Sequence, residues 1–136
     1  MNTELTQKIF DDFPRLFKGK DYGMQVNLMC FGFEVDDGWF NIIYELCAGI
    51  EAEFKKLSEA QQAEALKEDH YIAAQVKEKF GGLRFYMEGE TKEMSDLISK
   101  AEEASFKTCE VCGEPGEPKR GGWIKTLCDE HNENQL

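Results

Sequence analysis

Two short pairs near the end of the chain, Cys109-x-x-Cys112 and Cys128-x-x-His131, are separated by fifteen residues. Three sulfurs and an imidazole at that spacing can close a tetrahedron around one Zn²⁺, about 2.3 Å from each sulfur and about 2.0 Å from the ring nitrogen. Nothing else in the sequence restricts the fold as much, because one ion fixes two distant turns against each other. Cysteines three apart would close only a strained, reducible disulfide, so metal is the expected use. An iron–sulfur or redox site is the alternative, but only three cysteines converge and the fourth ligand is a histidine. Gly113 directly after Cys112 permits the positive φ of a knuckle, and Glu114-Pro115-Gly116-Glu117-Pro118 reads as a turn-rich excursion. The run Gly121 to Cys128 then reads as a short strand, and Asp129-Glu130-His131 opens a terminal helix. That order is the plan of a treble-clef finger. Protein fills all four positions, so one structural Zn²⁺ is expected, with no place for the activated water of a catalytic site. Three thiolates around a dication leave a single net negative charge, which Lys119, Arg120 and Lys125 lie close enough to offset.

A chain of 136 residues with 41% hydrophobic content supports one domain with a real core. Its 27 acids against 16 bases give a net charge of −11, which opposes general nucleic-acid binding because phosphate affinity is built from Lys and Arg. The acidity serves solubility, or forms a face that meets a basic surface on a protein partner. Five cysteines, an odd number, without an N-terminal leader, point to a reducing cytoplasm. No stretch approaches the roughly 20 apolar residues of a membrane span, so no membrane association is expected. Cys30 and Cys47 lie in apolar surroundings and are expected to be small buried hydrophobes.

Periodicity predicts a helix over residues 3 to 12, broken by Pro14, and a strand over 24 to 33. Asp37 is expected to cap the strongest helix, whose stripe is Phe40, Ile43, Tyr44, Cys47, Ile50 and Phe54. Ser58 opens an exposed helix, and Tyr71 to Glu88 reads as a hairpin turning at Gly81-Gly82. Thr91 caps a last helix, with Met94, Leu97, Ile98 and Ala101 inward, that runs directly into Cys109. The expected architecture is α+β: one compact domain of helices on a small antiparallel sheet, with residues 1–107 as the body and 108–136 as an integrated knuckle. Trp39 and Trp123 are expected to pack in the core and the knuckle.

Residues Gln75 to Tyr86, QVKEKFGGLRFY, together with Cys109-Glu110-Val111-Cys112-Gly113, the run Gly122 to His131 and Asp37-Gly38-Trp39, carry a resemblance. Over roughly residues 30 to 131 the chain resembles a group of small, uncharacterised bacterial and bacteriophage proteins. The resemblance implies the zinc knuckle and a phage or prophage setting, and no activity. Candidate binding residues are Arg84 and Tyr86, since exposed Arg and Tyr are frequent interface anchors, the knuckle bases Lys119, Arg120 and Lys125, and the loop acids Asp36 and Asp37. Only His70 remains as a general base, and no Ser/His/Asp set or phosphate loop is present. A non-catalytic protein-binding module, an adaptor or an inhibitor of a host defence or nucleic-acid-processing protein, is therefore expected ahead of a nucleic-acid-binding finger. A metal-dependent nuclease comes third.

Overall fold

The computed structural model describes residues 1–133. Helix α1 (Thr3–Asp12) starts where the Asn2 side chain accepts the Leu5 amide proton at 2.8 Å. It ends ahead of Pro14, which has no amide proton to continue the ladder. Ile9 faces inward, and the following turn sends Leu16 and Phe17 into the core. Two single 3-10 turns, Lys18–Asp21 and Leu28–Phe31, then lead into the short strand β1 (Phe33–Glu34).

The strand expected over residues 24 to 33 thus shrinks to β1, for a local reason. The Asn27 side chain accepts the Met29 amide proton at 2.7 Å and donates to the Ala73 carbonyl at 3.0 Å, which pins a turn. Gly32 then leaves that turn at φ +68°, outside the strand region. Met29 is buried, whereas Met24, Val26, Leu28 and Phe31 face outward. Cys30, expected inside, is exposed with them.

Asp37 does not cap the next helix. It lies in a 3-10 turn, Asp37–Trp39, and its carboxylate accepts from the Asn2 backbone and side chain at 2.7 and 3.0 Å. Helix α2 (Phe40–Lys55) follows with the expected stripe: Ile43, Cys47, Ile50 and Phe54 are buried, and Leu46 joins them. Burial pushes the Cys47 thiol well up, as befits a packed hydrophobe. Ser58 and Gln61 form a reciprocal capping box for α3 (Glu59–Glu68), a surface helix that buries Ala65.

Strands β2 (Ile72–Lys79) and β3 (Gly82–Glu88) pair antiparallel, and β1 adds to β2 in parallel with Phe33 beside Val76. The hairpin turns one residue earlier than expected, at Phe80 and Gly81, with φ of +54° and +86°. Gly82 belongs to the strand instead, where the Phe106 ring fills the space a Cβ would need. Helix α4 (Lys92–Ser105), capped by Thr91, buries Met94, Ile98 and Ala101. Its Ser105 hydroxyl accepts the Leu83 amide proton at 2.9 Å. The result is an α+β fold whose core gathers the rings of Phe10, Phe17 and Phe33 with centroids 5.2 to 5.6 Å apart. No helix among the described residues is long and apolar enough to cross a membrane.

Backbone contacts tie this body to the C-terminal segment. The Gly38 amide donates to the Glu110 carbonyl at 2.7 Å, and the Trp39 indole to the Thr108 carbonyl at 2.9 Å. A Cβ at Gly38 would overlap the carbonyl oxygens of Cys109 and Glu110, which cannot swing aside as a side chain can. Gly38→Ala is therefore expected to destabilise the fold by about 1–3 kcal/mol, read as a lower midpoint in urea at unchanged slope.

Candidate metal centre and the adjoining groove

After α4 the chain forms a knuckle over residues 109 to 113, then strands β4 (Glu117–Lys119) and β5 (Lys125–Leu127) and the short helix α5 (Asp129–Glu133). Gly113 sits at φ +83°, which lets its amide return to the Cys109 carbonyl at 2.9 Å. The pairing of β4 with β5 brings Cys128 back beside the knuckle, and the first turn of α5 presents His131.

The ligand atoms of Cys109, Cys112, Cys128 and His131 all lie within 4.8 Å of one another. Metal–sulfur bonds of about 2.3 Å and a metal–nitrogen bond of about 2.0 Å set tetrahedral edges of about 3.8 Å between sulfurs and about 3.5 Å from sulfur to nitrogen. Cys112 and Cys128 stand 3.8 Å apart, and the Cys109 sulfur lies 3.6 Å from His131 Nδ1. The edge from Cys128 to Nδ1 is shorter, 3.1 Å. The four residues therefore form a cluster that fits one tetrahedral ion.

The protonation chemistry agrees. Burial pushes the Cys109 thiol up, but the amides of Cys128, Cys112 and Val111 and the Cys112 thiol outweigh it, leaving about 7. At Cys112 the Glu114 amide draws the thiol down, yet burial and the neighbouring Cys109 and Cys128 sulfurs carry it to about 11. Neighbouring thiolates repel one another, and a cation among them removes that repulsion. Metal uptake is accordingly expected to release protons and to weaken as pH falls, measured by chelator competition on either side of neutrality.

The other candidate residues are not gathered into one site. Arg84 pairs with Glu102 on α4 at 3.2 Å, and Tyr86 is exposed further along β3. Asp37 is held by Asn2, and Asp36 lies 3.8 Å from Lys125. Lys119 sits between Glu117 and Asp129, 3.1 Å from each. Arg120 has no carboxylate at ion-pair distance among the described residues. His70 precedes β2, whereas the knuckle meets the hairpin tip at the other end of that eight-residue strand, about 25 Å away at about 3.3 Å per residue.

Glu110 is a residue that the sequence did not single out. It is buried, its Oε2 accepts the Asp36 amide proton at 3.0 Å, and its Oε1 has no partner. Desolvation raises its carboxyl above the ordinary range, so the ionised form costs stability at neutral pH and the proton restores it as pH falls. Glu110→Gln is expected to raise the unfolding midpoint at neutral pH, with the gain vanishing once the native carboxyl is protonated.

The largest departure from expectation is Trp123. It is 74% exposed rather than packed, because the loop from Arg120 to Ile124 that joins β4 to β5 carries it out into solvent. Phe80, at the tip of the other hairpin, is 67% exposed and Ile124 is 39% exposed. The two tips wall a groove of about 390 Å³, with Lys79 and Glu78 on one side and Gly121 and Gly122 on the other. The Thr126 hydroxyl ties the tips together by donating to the Gly81 carbonyl at 2.6 Å, and within the first hairpin the Glu78 carboxylate accepts the Gly81 amide proton at 2.7 Å. Gly81 is required twice, for its positive φ and because a Cβ there would crowd Ile124 and Thr126 at 3.2 and 3.3 Å. A left-handed phenylalanine costs about 1–2 kcal/mol. The sequence carries no signal for this groove, because a turn read at Gly81-Gly82 leaves Phe80 within the strand and only the packing of Phe106 against Gly82 moves it to the tip. Comparison of the chain with family models, curated proteins and solved structures finds no match.

Proposed function

We propose that the cluster holds one structural Zn²⁺ and that the chain is a non-catalytic protein-binding module. The donor set of three thiolates and one imidazole suits zinc, and the protein fills every tetrahedral position. One observation carries the binding reading: Phe80, Trp123 and Ile124, from two separate hairpins, stand exposed around one groove. Aromatic anchors in a concave, preorganised surface are what protein interfaces use most. In the bacterial or bacteriophage setting that the resemblance implies, the partner is a host or phage protein, and the net charge of −11 favours a basic surface somewhere on it.

The nucleic-acid finger is less favoured because two of its three bases, Lys119 and Lys125, already face carboxylates. The nuclease reading lacks a base near the metal, since His70 lies at the far end of β2. The test is affinity capture from nuclease-treated bacterial lysate on the zinc-loaded chain and on Trp123→Ala. The expected result is a protein retained by the first, lost from the second and rebound when both components are purified. Retention that appears only when nucleic acid is restored would contradict the reading.

A further inference from the structure

We propose that the groove between the two hairpin tips takes an arginine side chain from a basic segment of the partner, stacked on Trp123 and paired with the Glu78 carboxylate. This rests on the protein-binding reading and adds the chemistry of the occupant.

Glu78 and Lys79 balance formally in the lining, so a count of charges leaves the occupant's sign open and the placement of the two groups decides it. The Gly81 amide holds the Glu78 carboxylate in position, 2.7 Å from its Oε2, and the carboxylate keeps its negative charge while accepting. No cation stands at ion-pair distance from it among the described residues. Lys79 turns its ammonium onto the Phe80 ring instead, 5.6 Å from the centroid. On the facing hairpin Trp123 is largely exposed, and no cation lies over its indole among the described residues. The face of an aromatic ring is the negative end of its quadrupole, so it attracts cations, and tryptophan does so most strongly. A fixed, unpaired carboxylate and an open indole therefore meet across one groove, and both favour a cation over an anion. Arginine fits them better than lysine. Its planar guanidinium stacks on a ring while donating to a carboxylate, and its methylene stem can cover the apolar surface of Ile124. A basic segment is also what a chain of net charge −11 draws in from solution. Single-stranded nucleic acid stacks on exposed aromatics too, but Glu78 repels its phosphates.

Backbone strain is independent support. The φ of +54° at Phe80 keeps a phenyl ring in solvent at a turn where asparagine followed by glycine would be relaxed. A strained residue that fills no core points to function, and here the ring engages the Lys79 ammonium, which leaves Glu78 to a partner. Zinc enters through β5: Thr126, two residues before the ligand Cys128, holds the Gly81 carbonyl and so ties the loop that carries Trp123 to the turn that orients Glu78.

The experiment is selection of random displayed short peptides on the zinc-loaded full chain, with subtraction on Trp123→Ala. The selected peptides are then titrated while the Trp123 indole N–H signal is followed by NMR. Enriched peptides are expected to carry net positive charge around one recurrent arginine and to shift the indole signal. Replacing that arginine with glutamine should weaken binding at least about tenfold, a difference of about 1.4 kcal/mol, and lysine in its place should also bind more weakly. Glu78→Gln keeps an oxygen for the Gly81 amide and removes the charge. It should hold zinc and melt as the wild type does, yet bind the peptides at least about tenfold more weakly. Trp123→Ala should lose them with zinc content unchanged. A consensus that is acidic or lacks arginine, lysine that binds as tightly as arginine, or equal binding by Glu78→Gln would each overturn the proposal. A selection that enriches nothing, while Trp123→Ala still loses its lysate partner, removes the arginine occupant and leaves the protein-binding reading. Indole shifts produced by a single-stranded oligothymidylate and by no peptide remove both.

Discussion

Replacement of Cys128 by serine is expected to abolish metal retention and the order of residues 109 to 131 while leaving the body folded. Cys128 closes the cluster from β5, 3.8 Å from Cys112 and 3.1 Å from His131 Nδ1. Structural zinc contributes about 10–16 kcal/mol of apparent binding free energy in small fingers. The segment has little else to replace it: β4 and β5 are three residues each and α5 is five. The body has its own core of Ile9, Phe17, Trp39, Ile43, Ile50, Val76 and Leu83. Limited proteolysis with metal analysis should therefore show new cleavage concentrated in residues 109 to 131, and the wild type should reproduce that pattern after chelation. Loosening should reach the Phe80–Gly81 turn, because the Thr126 clamp goes with β5. Unchanged cleavage in a metal-free variant would show that the knuckle folds without the ion.

Trp39→Ala carries the second large effect, about 3–5 kcal/mol. Trp39 is fully buried at the start of α2, and its indole donates to the Thr108 carbonyl at 2.9 Å, just before the first metal ligand. Truncation opens a cavity in the body and orphans a carbonyl at the entrance to the knuckle. Trp39→Phe separates the two terms, since it keeps most of the volume and loses the hydrogen bond for about 1–3 kcal/mol. Urea unfolding of the zinc-loaded variants measures both. A Phe variant as damaged as the Ala variant would assign the whole effect to the hydrogen bond.

The metal ligands were legible because four residues at fixed spacing obey coordination geometry, which depends little on the rest of the fold. The α2 stripe and the caps at Ser58 and Thr91 were legible for a similar reason: each is a local pattern within one or two helical turns. The failures share a different cause. Residues 24 to 31 have the apolar content of a strand, but Asn27 reaches across to Ala73, a partner 46 positions away, and holds a turn instead. Gly81-Gly82 looked like the turn because both residues tolerate positive φ. The register was decided by Phe106, whose ring leaves room only for glycine at position 82. Trp123 reads as a packing residue of the knuckle because tryptophan is usually buried, and only the pairing of Lys119 with Lys125 shows that it rides a loop outward. Glu110 was invisible because its burial depends on how the knuckle docks against Asp36 and Gly38.

X-ray absorption at the zinc edge, on protein purified without added metal, reads the ligand shell itself. The expected result is one zinc per chain, with three sulfurs at about 2.3 Å and one nitrogen at about 2.0 Å. A shell of oxygen and nitrogen alone, or a chain that carries no metal and joins Cys112 to Cys128 as a disulfide, would contradict it.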